Sequence, residues 1–344
     1  MDRLYLVTGG AGHLGNTVIR MLAVRGVRIR ALLLPDDNTK ALEGIPVTIF
    51  RGDVCDRDSL RRFFDVPEPQ NTVVIHAAGI VSITSSPNPA IYRVNVQGTK
   101  NVTDLCVEKH IGRFVYISSV HAIPEKPHGD TISEIDAFSP EEVTGPYAKT
   151  KAEATQYVLD QVRNRGLDAV VVHPSGIIGP NDFGSAHMTQ MILDYVNGNL
   201  TACVRGGYDF VDVRDVAEGI CAAAEKGQKG GCYILSNRYF TVQEIFEQLH
   251  VITGHRKIRT ILPLWFARAT APLAEIYYKI RRKPPLYTLY SLYTLYSNSK
   301  FSHEKADREL FYKTRDIHQT LTDTIRWLEK QKRIRMQKVE KIVI

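Results

Sequence analysis

The amino-acid sequence predicts a doubly wound α/β fold: a mostly parallel sheet with a smaller, mostly helical C-terminal lobe. Three observations carry that prediction. Strand and helix signals alternate through the first two-thirds of the chain, the order that builds a parallel sheet covered on both faces. The strand candidates are rich in Val, Ile and Leu with little polar alternation, as doubly buried parallel strands should be. The glycine-rich run Thr8-Gly9-Gly10-Ala11-Gly12-His13-Leu14-Gly15 lies between the first strand and the first helix.

Taken in order, apolar runs place strands at 4–8, 28–33, 47–50, 72–76, 114–118 and 169–173. Helices fall between them at about 13–25, 57–64, 92–110 and 146–165. Beyond Pro174 the pattern loosens: a helix near 187–197, a strand at 210–213, a helix near 215–225 and a strand at 232–235. The remainder reads as mainly helical. At about 150 residues per domain the 344 residues suggest two units. We expect a dinucleotide-binding domain over 1–175, with 208–237 returning to it. A substrate lobe is expected from 176–207 and 238–330, followed by a basic tail over 331–344.

Composition excludes several classes. Hydrophobic residues at 44% and charged residues at 24% rule out a wholly disordered chain. The most apolar stretch, 261–274, is interrupted by Pro263, Arg268 and Pro272, so no membrane span is expected. The N-terminus reads as a strand without a cleavage pattern, and five scattered cysteines fit free thiols, so a cytoplasmic location is expected. The net charge of +7 is mostly a tail property: residues 326–344 carry seven Lys/Arg against Glu329 and Glu340. The body has no basic field, and no nucleic-acid partner is expected. A small-molecule substrate is the expected partner, with a homodimer left open, and no metal-ligand spacing is found.

The glycine run has a physical reading. Glycine is required where a tight turn needs positive φ or where backbone must approach a pyrophosphate. The helix that follows offers free N–H groups and partial positive charge to phosphates. Gly9, Gly12, His13, Leu14 and Gly15 are therefore cofactor-binding candidates. Asp53 and Val54 follow the third strand, where a carboxylate accepts from an adenine amino group. Ala77, Ala78 and Gly79 follow the fourth strand and are small enough for a ring or ribose to lie on backbone.

Tyr147 and Lys151 are four residues apart on a predicted helix and so share a face. A phenol of ordinary pKa about 10 is a poor acid–base group near neutrality, and a nearby cation lowers it. Ser118-Ser119 leaves the fifth strand at the carboxyl edge of the sheet and supplies a hydroxyl to polarise a carbonyl. His121, two residues on, is a candidate substrate contact or an ordinary loop histidine; His76 reads as structural. Val81, Ile83 and the aromatic segment 265–278 are candidate pocket walls. Residues 286–297 repeat Tyr every three positions, at 287, 290, 293 and 296, a stripe that either packs on the lobe or faces a ligand.

In sequence order these motifs resemble those of the extended short-chain dehydrogenases/reductases, in the NAD-dependent epimerase/dehydratase superfamily. The resemblance spans about residues 3–330. Besides the runs above it includes Asn95-x-x-Gly98-Thr99-x-Asn101, His173-Pro174-Ser175 and Asp209-Phe210-Val211-Asp212-Val213-Arg214-Asp215-Val216. It implies a Rossmann-type fold and an NAD(P)-dependent oxidoreductase acting on CH–OH groups. By resemblance, Ser119, Tyr147 and Lys151 form the catalytic triad, with Lys151 also on the nicotinamide ribose. Asn95 is implied on the cofactor side, and the backbone around Pro174 and Ser175 beside the nicotinamide amide.

Three departures narrow the resemblance. Dehydratases carry Asp-Glu after the catalytic hydroxyl, where this chain has Val120-His121. Nucleotide-sugar epimerases place a diphosphate-clamping arginine where this chain has Tyr208, although Arg205 lies close. Tyr208 thus joins Val81, Ser119 and His121 as a candidate substrate contact, and the pattern is most similar to the dihydroflavonol reductase and 3β-hydroxysteroid dehydrogenase branch. A steroid- or dihydroflavonol-like ring substrate is implied, with a sugar-nucleotide epimerase as the alternative and a non-catalytic regulator as a weaker one. At the end of the second strand, Leu33-Leu34-Pro35-Asp36-Asp37 favours NAD over NADP, against Arg30 and Lys40.

Overall fold

A computed structural model describes residues 3–184, 186–271 and 288–334. Its main sheet is built from β1 (Leu4–Thr8), β2 (Arg28–Leu33), β3 (Thr48–Arg51), β4 (Thr72–His76), β5 (Arg113–Ile117), β6 (Ala169–Pro174) and a late strand, Cys232–Leu235. Three short strands precede that last one: β7 (Gly176–Ile178), β8 (Ala202–Val204) and β9 (Gly207–Asp212); Cys232–Leu235 is therefore β10. The order is β10-β6-β5-β4-β1-β2-β3, and every neighbouring pair is parallel. Connections run outward in both directions from the β1/β4 boundary, which opens a crevice above the carboxyl ends of those strands.

Period-two alternation divides the strand side chains between two cores. Leu4, Leu6, Val74 and Phe114 face α3 (Thr99–Glu108) and α4 (Pro146–Arg165) through Val102, Leu105, Ala152 and Val158. Tyr5, Val7, Val73 and Val115 face α1 (His13–Val24) and α6 (Val213–Lys226) through Val18, Leu22, Val216 and Ile220. Each buried aliphatic side chain contributes about 1.5–3 kcal/mol, so both faces anchor the crevice rigidly.

Elsewhere the structure corrects the expectations. Residues 57–64 are turns, not a helix, though Leu60, Phe63 and Phe64 are buried. Asp56 Oδ1 accepts from Asp58 N, and Ser59 Oγ donates to the Asp53 and Asp56 carbonyls, so side chains compete for the backbone groups a helix needs. The helix expected over 92–110 begins as α2 (Pro89–Tyr92), passes through a π-helical turn at Arg93–Gly98 and continues as α3. Within 208–237, β10 joins the main sheet and α6 packs on one of its faces, but β9 does not join it. β9 pairs instead with β7 and with β11 (Arg238–Thr241) in a second sheet, and β8 pairs with β12 (Thr260–Leu262).

The lobe adds α5 (His187–Val196), α7 (Val242–Thr253), α8 (264–271), α9 (Leu289–Tyr296), α10 (Glu304–Leu310) and α11 (Ile317–Lys330). In the described part of the aromatic segment, Trp265 is 71% exposed, while Ala267 and Ala271 pack on Leu292 of α9. Small residues admit close helix approach and turn the large rings outward. Tyr277, Tyr278, Tyr287 and the tail from 335 lie outside the described residues.

Candidate active site

The glycine turn is close-packed by backbone. Gly9 adopts φ +66°, and a Cβ there would meet Ala78 backbone at 2.8 Å. A Cβ on Gly15 would come within 2.1 Å of the Gly9 carbonyl oxygen. Only glycine fits either position, so the first turn of α1 lies directly on the turn after β1. Gly12 caps α1 without a side chain, and the N–H groups of His13, Leu14 and Gly15 have no intrahelical acceptor there. Those donors point where an anion belongs. The His13 ring is engaged elsewhere: its Nε2 meets the Pro180 carbonyl at 2.9 Å, and Asn16 Nδ2 donates to Asn181 O. His13 therefore offers a ligand its backbone, and its ring ties the turn to the segment after β7.

At the next strand end, Asp53 Oδ1 accepts from Cys55 N at 2.9 Å, and Val54 O accepts from Asn101 Nδ2. His76 is structural, as read from the sequence. Its ring bridges Thr8 Oγ1 and Thr99 Oγ1, and burial with Lys151 nearby pushes it down to about 3. Thr8 Oγ1 accepts in turn from Ala78 N. Asn95 sits in the π-helical turn, a departure that often marks functional sites. Its Oδ1 accepts from Ile80 N, and its Nδ2 donates to Ile80 O and Thr150 Oγ1. Those bonds tie Asn95 to the loop at Ile80 and to α4. A Cβ on Gly79 would lie 3.3 Å from Asn95 Oδ1 and 3.6 Å from Lys151 Nζ, which brings loop, Asn95 and Lys151 together.

The fold also brings Ser119, Tyr147 and Lys151 into one place. Ser118 Oγ pairs with Thr155 Oγ1 and ties β5 to α4, while Ser119 Oγ accepts from His121 N and is hydrogen-bonded with Tyr147. Gly145, at φ +101°, starts α4 and delivers Tyr147 in its first turn. Burial pushes Tyr147 up to about 12, partly opposed by its hydrogen bond with Ser119. The lowering expected from Lys151 is not present. Burial pushes Lys151 down to about 7, its Nζ donates to Ile117 O at 2.8 Å, and it lies 5.1 Å from the Tyr116 ring centre. The cation is oriented by β5, not by the phenol.

Around Tyr147 the structure gathers rings that sequence spacing did not connect. His121 meets Tyr147 edge-on at 5.9 Å and stacks on Tyr208 at 5.6 Å, with Nε2 and Tyr208 Oη 3.1 Å apart. Tyr290 approaches His121 at 6.2 Å. Burial pushes His121 down to about 4 and Tyr208 well up, so both are neutral at pH 7. A small cavity of about 50 Å³ adjoins them, lined in part by Glu125, Glu142 and Phe301. Val81 is 67% exposed; Ile83 O accepts from Thr288 Oγ1.

Ser175 is bonded within the fold. Its N–H donates to Leu235 O, its hydroxyl donates to Asp209 Oδ1 at 2.5 Å, and Pro174 has no N–H. Asp209 also accepts from Asn237 N, while its Oδ2 has no partner among the described residues. Burial lifts this carboxyl from 3.8 to about 6. The folded state thus holds the proton more tightly than the unfolded chain. The contribution to stability is full below pH 3.8 and is lost as pH rises to about 6. Asp209→Asn removes that slope. Relative to the parent, its Tm should move upward between pH 4 and 7, by the equivalent of at most about 3 kcal/mol. Parallel melting curves of parent and variant over that range would show no relative shift if Asp209 titrates normally.

Among the described residues, no helix is long and apolar enough to cross a membrane. No group of three or more His, Cys, Asp or Glu converges there as a metal site.

Comparison with known proteins identifies the family. Residues 5–236 match the NAD dependent epimerase/dehydratase family. The chain is 31% identical over 331 residues to sterol demethylase protein B of Methylococcus capsulatus, covering 95% of this chain and 98% of that protein. It is 32% identical over 362 aligned residues to mouse 3 beta-hydroxysteroid dehydrogenase type 7, covering 95% of each. The crystal structure of gox2253 superposes with a TM-score of 0.83 at 30% identity, covering 97% of this chain and 100% of that one. The chain belongs to the NAD-dependent epimerase/dehydratase family and is a nicotinamide-dependent oxidoreductase of the extended short-chain dehydrogenase/reductase type.

Proposed function

We propose that the protein exchanges a hydride between NAD(H) and a secondary alcohol or ketone on a polycyclic or aryl scaffold, with Tyr147 as the acid–base group. The observation that carries this reading is the uncharged ring cluster of His121, Tyr208 and Tyr290 against Tyr147. Tyr208 stands where a guanidinium would grip a diphosphate, and Arg205 is exposed on the turn between β8 and β9. A flat, weakly polar ring system suits such walls, with affinity from buried apolar area and a few polar contacts. The names of the sterol- and hydroxysteroid-related proteins above support the same class.

The cradle fits a dinucleotide, because Gly9 and Gly15 let the turn pack directly on α1 and the N–H groups at the start of that helix have no side-chain cap. His13, Leu14 and Gly15 would hold the pyrophosphate by backbone; Asp53 and Val54 the adenine end; Ala77, Ala78, Gly79 and Lys151 the ribose and nicotinamide end. Bound NADH supplies the hydride. Ser119 and Tyr147 hold the substrate oxygen, and burial keeps the Tyr147 phenol protonated, ready to donate to a carbonyl. Asp36 and Asp37 make the turn after β2 acidic. Asp37 Oδ2 accepts from Leu34 N, and Arg51 Nη1 braces that turn through three carbonyls. This arrangement favours NAD over NADP. Residues 176–207 and 238–330 would form the substrate lobe.

Nicotinamide absorbance across 3-hydroxysteroids and dihydroflavonols, beside epimerisation of UDP-glucose and UDP-galactose, tests the reading. Turnover of a ring compound with NAD(H) preferred over NADP(H) is expected. Efficient epimerisation with no activity on the ring compounds would overturn it.

A further inference from the structure

Tyr290 is a buried phenol that the proposed chemistry does not use. It is 6% exposed, and its hydroxyl has no hydrogen-bond partner among the described residues. An unpaired buried hydroxyl costs about 1–3 kcal/mol, so its persistence asks for a reason. The ring is not loosely held. Its backbone N–H donates to Ser85 Oγ, its ring stacks on Tyr293 at 6.2 Å, and Tyr293 Oη donates to Glu125. It also fills the space beside Gly145: a Cβ there would lie 2.1 Å from the Tyr290 ring. That glycine begins the helix carrying Tyr147, so α9 and the first turn of α4 are fitted to each other. His121 completes the group from the far side.

We propose that Tyr290 is a substrate-specificity residue whose hydroxyl donates to a second, uncharged oxygen of the ligand, on a carbon next to the reacting one. The inference rests on the proposed ring-alcohol chemistry. A carbonyl oxygen has two lone pairs, and Ser119 and Tyr147 take both. The free donor of Tyr290 is left for another acceptor close by. That acceptor is uncharged because the surrounding rings are neutral, and the small cavity beside His121, Tyr208 and Tyr293 carries Glu125 and Glu142 instead of a cation. A hydroxyl or keto group fits; a carboxylate or phosphate is repelled. Within the tyrosine repeat, position 290 is buried beside His121 and Tyr147, while Tyr296 is exposed.

The test uses the full chain, NADH and two probes, a 3-ketosteroid and the same steroid bearing a 2-hydroxyl. The parent should favour the hydroxylated probe by about tenfold in kcat/KM, the effect of one well-placed hydrogen bond. In Tyr290→Phe that ratio should fall to about one. The loss should appear in KM, and NADH affinity should hold. Because the hydroxyl is unpaired, the variant should melt no lower than the parent, which separates this role from a structural one. A ratio of one in the parent, or a tenfold ratio that survives in Tyr290→Phe, overturns the inference alone. Failure of the parent to reduce either probe while binding NADH overturns the ring-ketone reading beneath it.

Discussion

Tyr147→Phe is expected to lower kcat by about 10²–10⁴-fold on any ring compound the protein reduces, with NADH affinity within about threefold of the parent. The substitution removes a proton donor and almost no volume from a side chain that is buried at the start of α4. Its hydroxyl is bonded to Ser119, not to a group that builds the cofactor cradle. Burial holds the phenol near 12, so the parent donates its proton from a protonated tyrosine throughout the neutral range. Stopped-flow or steady-state absorbance of NADH gives the rate, and fluorescence titration gives the affinity. Turnover within tenfold of the parent would remove Tyr147 from the acid–base role.

Gly15→Ala should abolish measurable NAD(H) binding, a loss of at least about a hundredfold in affinity. The added methyl would stand 2.1 Å from Gly9 O and 2.9 Å from Gly9 C. Both are backbone atoms, so no side chain can rotate away. The turn after β1 must then open from the first turn of α1, and that separates the donors of His13, Leu14 and Gly15 from the anion they face. Gly12→Ala is the informative partner, because its Cβ would meet only Gly9 O at 3.2 Å. Near-parental affinity in Gly15→Ala would mean that the turn does not cradle the dinucleotide.

Strong local periodicity made much of the scaffold legible. The strands at 4–8, 28–33, 72–76 and 232–235 and the helix at 146–165 have the bounds expected from their apolar runs. The short strands β7, β8, β11 and β12 were missed, because three or four residues carry too little pattern to separate strand from loop. Residues 57–64 misled for a different reason. Their helical spacing of apolar residues is real and all three are buried, but aspartate and serine side chains took the backbone groups first.

The sequence by itself determined the glycine turn, the placing of Tyr147 and Lys151 four residues apart on one helix, and the main strands and helices as local elements. Each of these depends on residues a few positions apart, where covalent geometry sets the relation. Tertiary structure alone decided what surrounds the phenol. His121 and Tyr208 are 87 positions apart yet bonded, and Tyr290 arrives from a third element. It also decided that Lys151 is oriented by the Ile117 carbonyl and that Ser175 turns inward to Asp209. Such contacts form only when separate elements pack, because hydrogen bonding and ring packing act over a few ångströms of space and carry no trace of sequence distance.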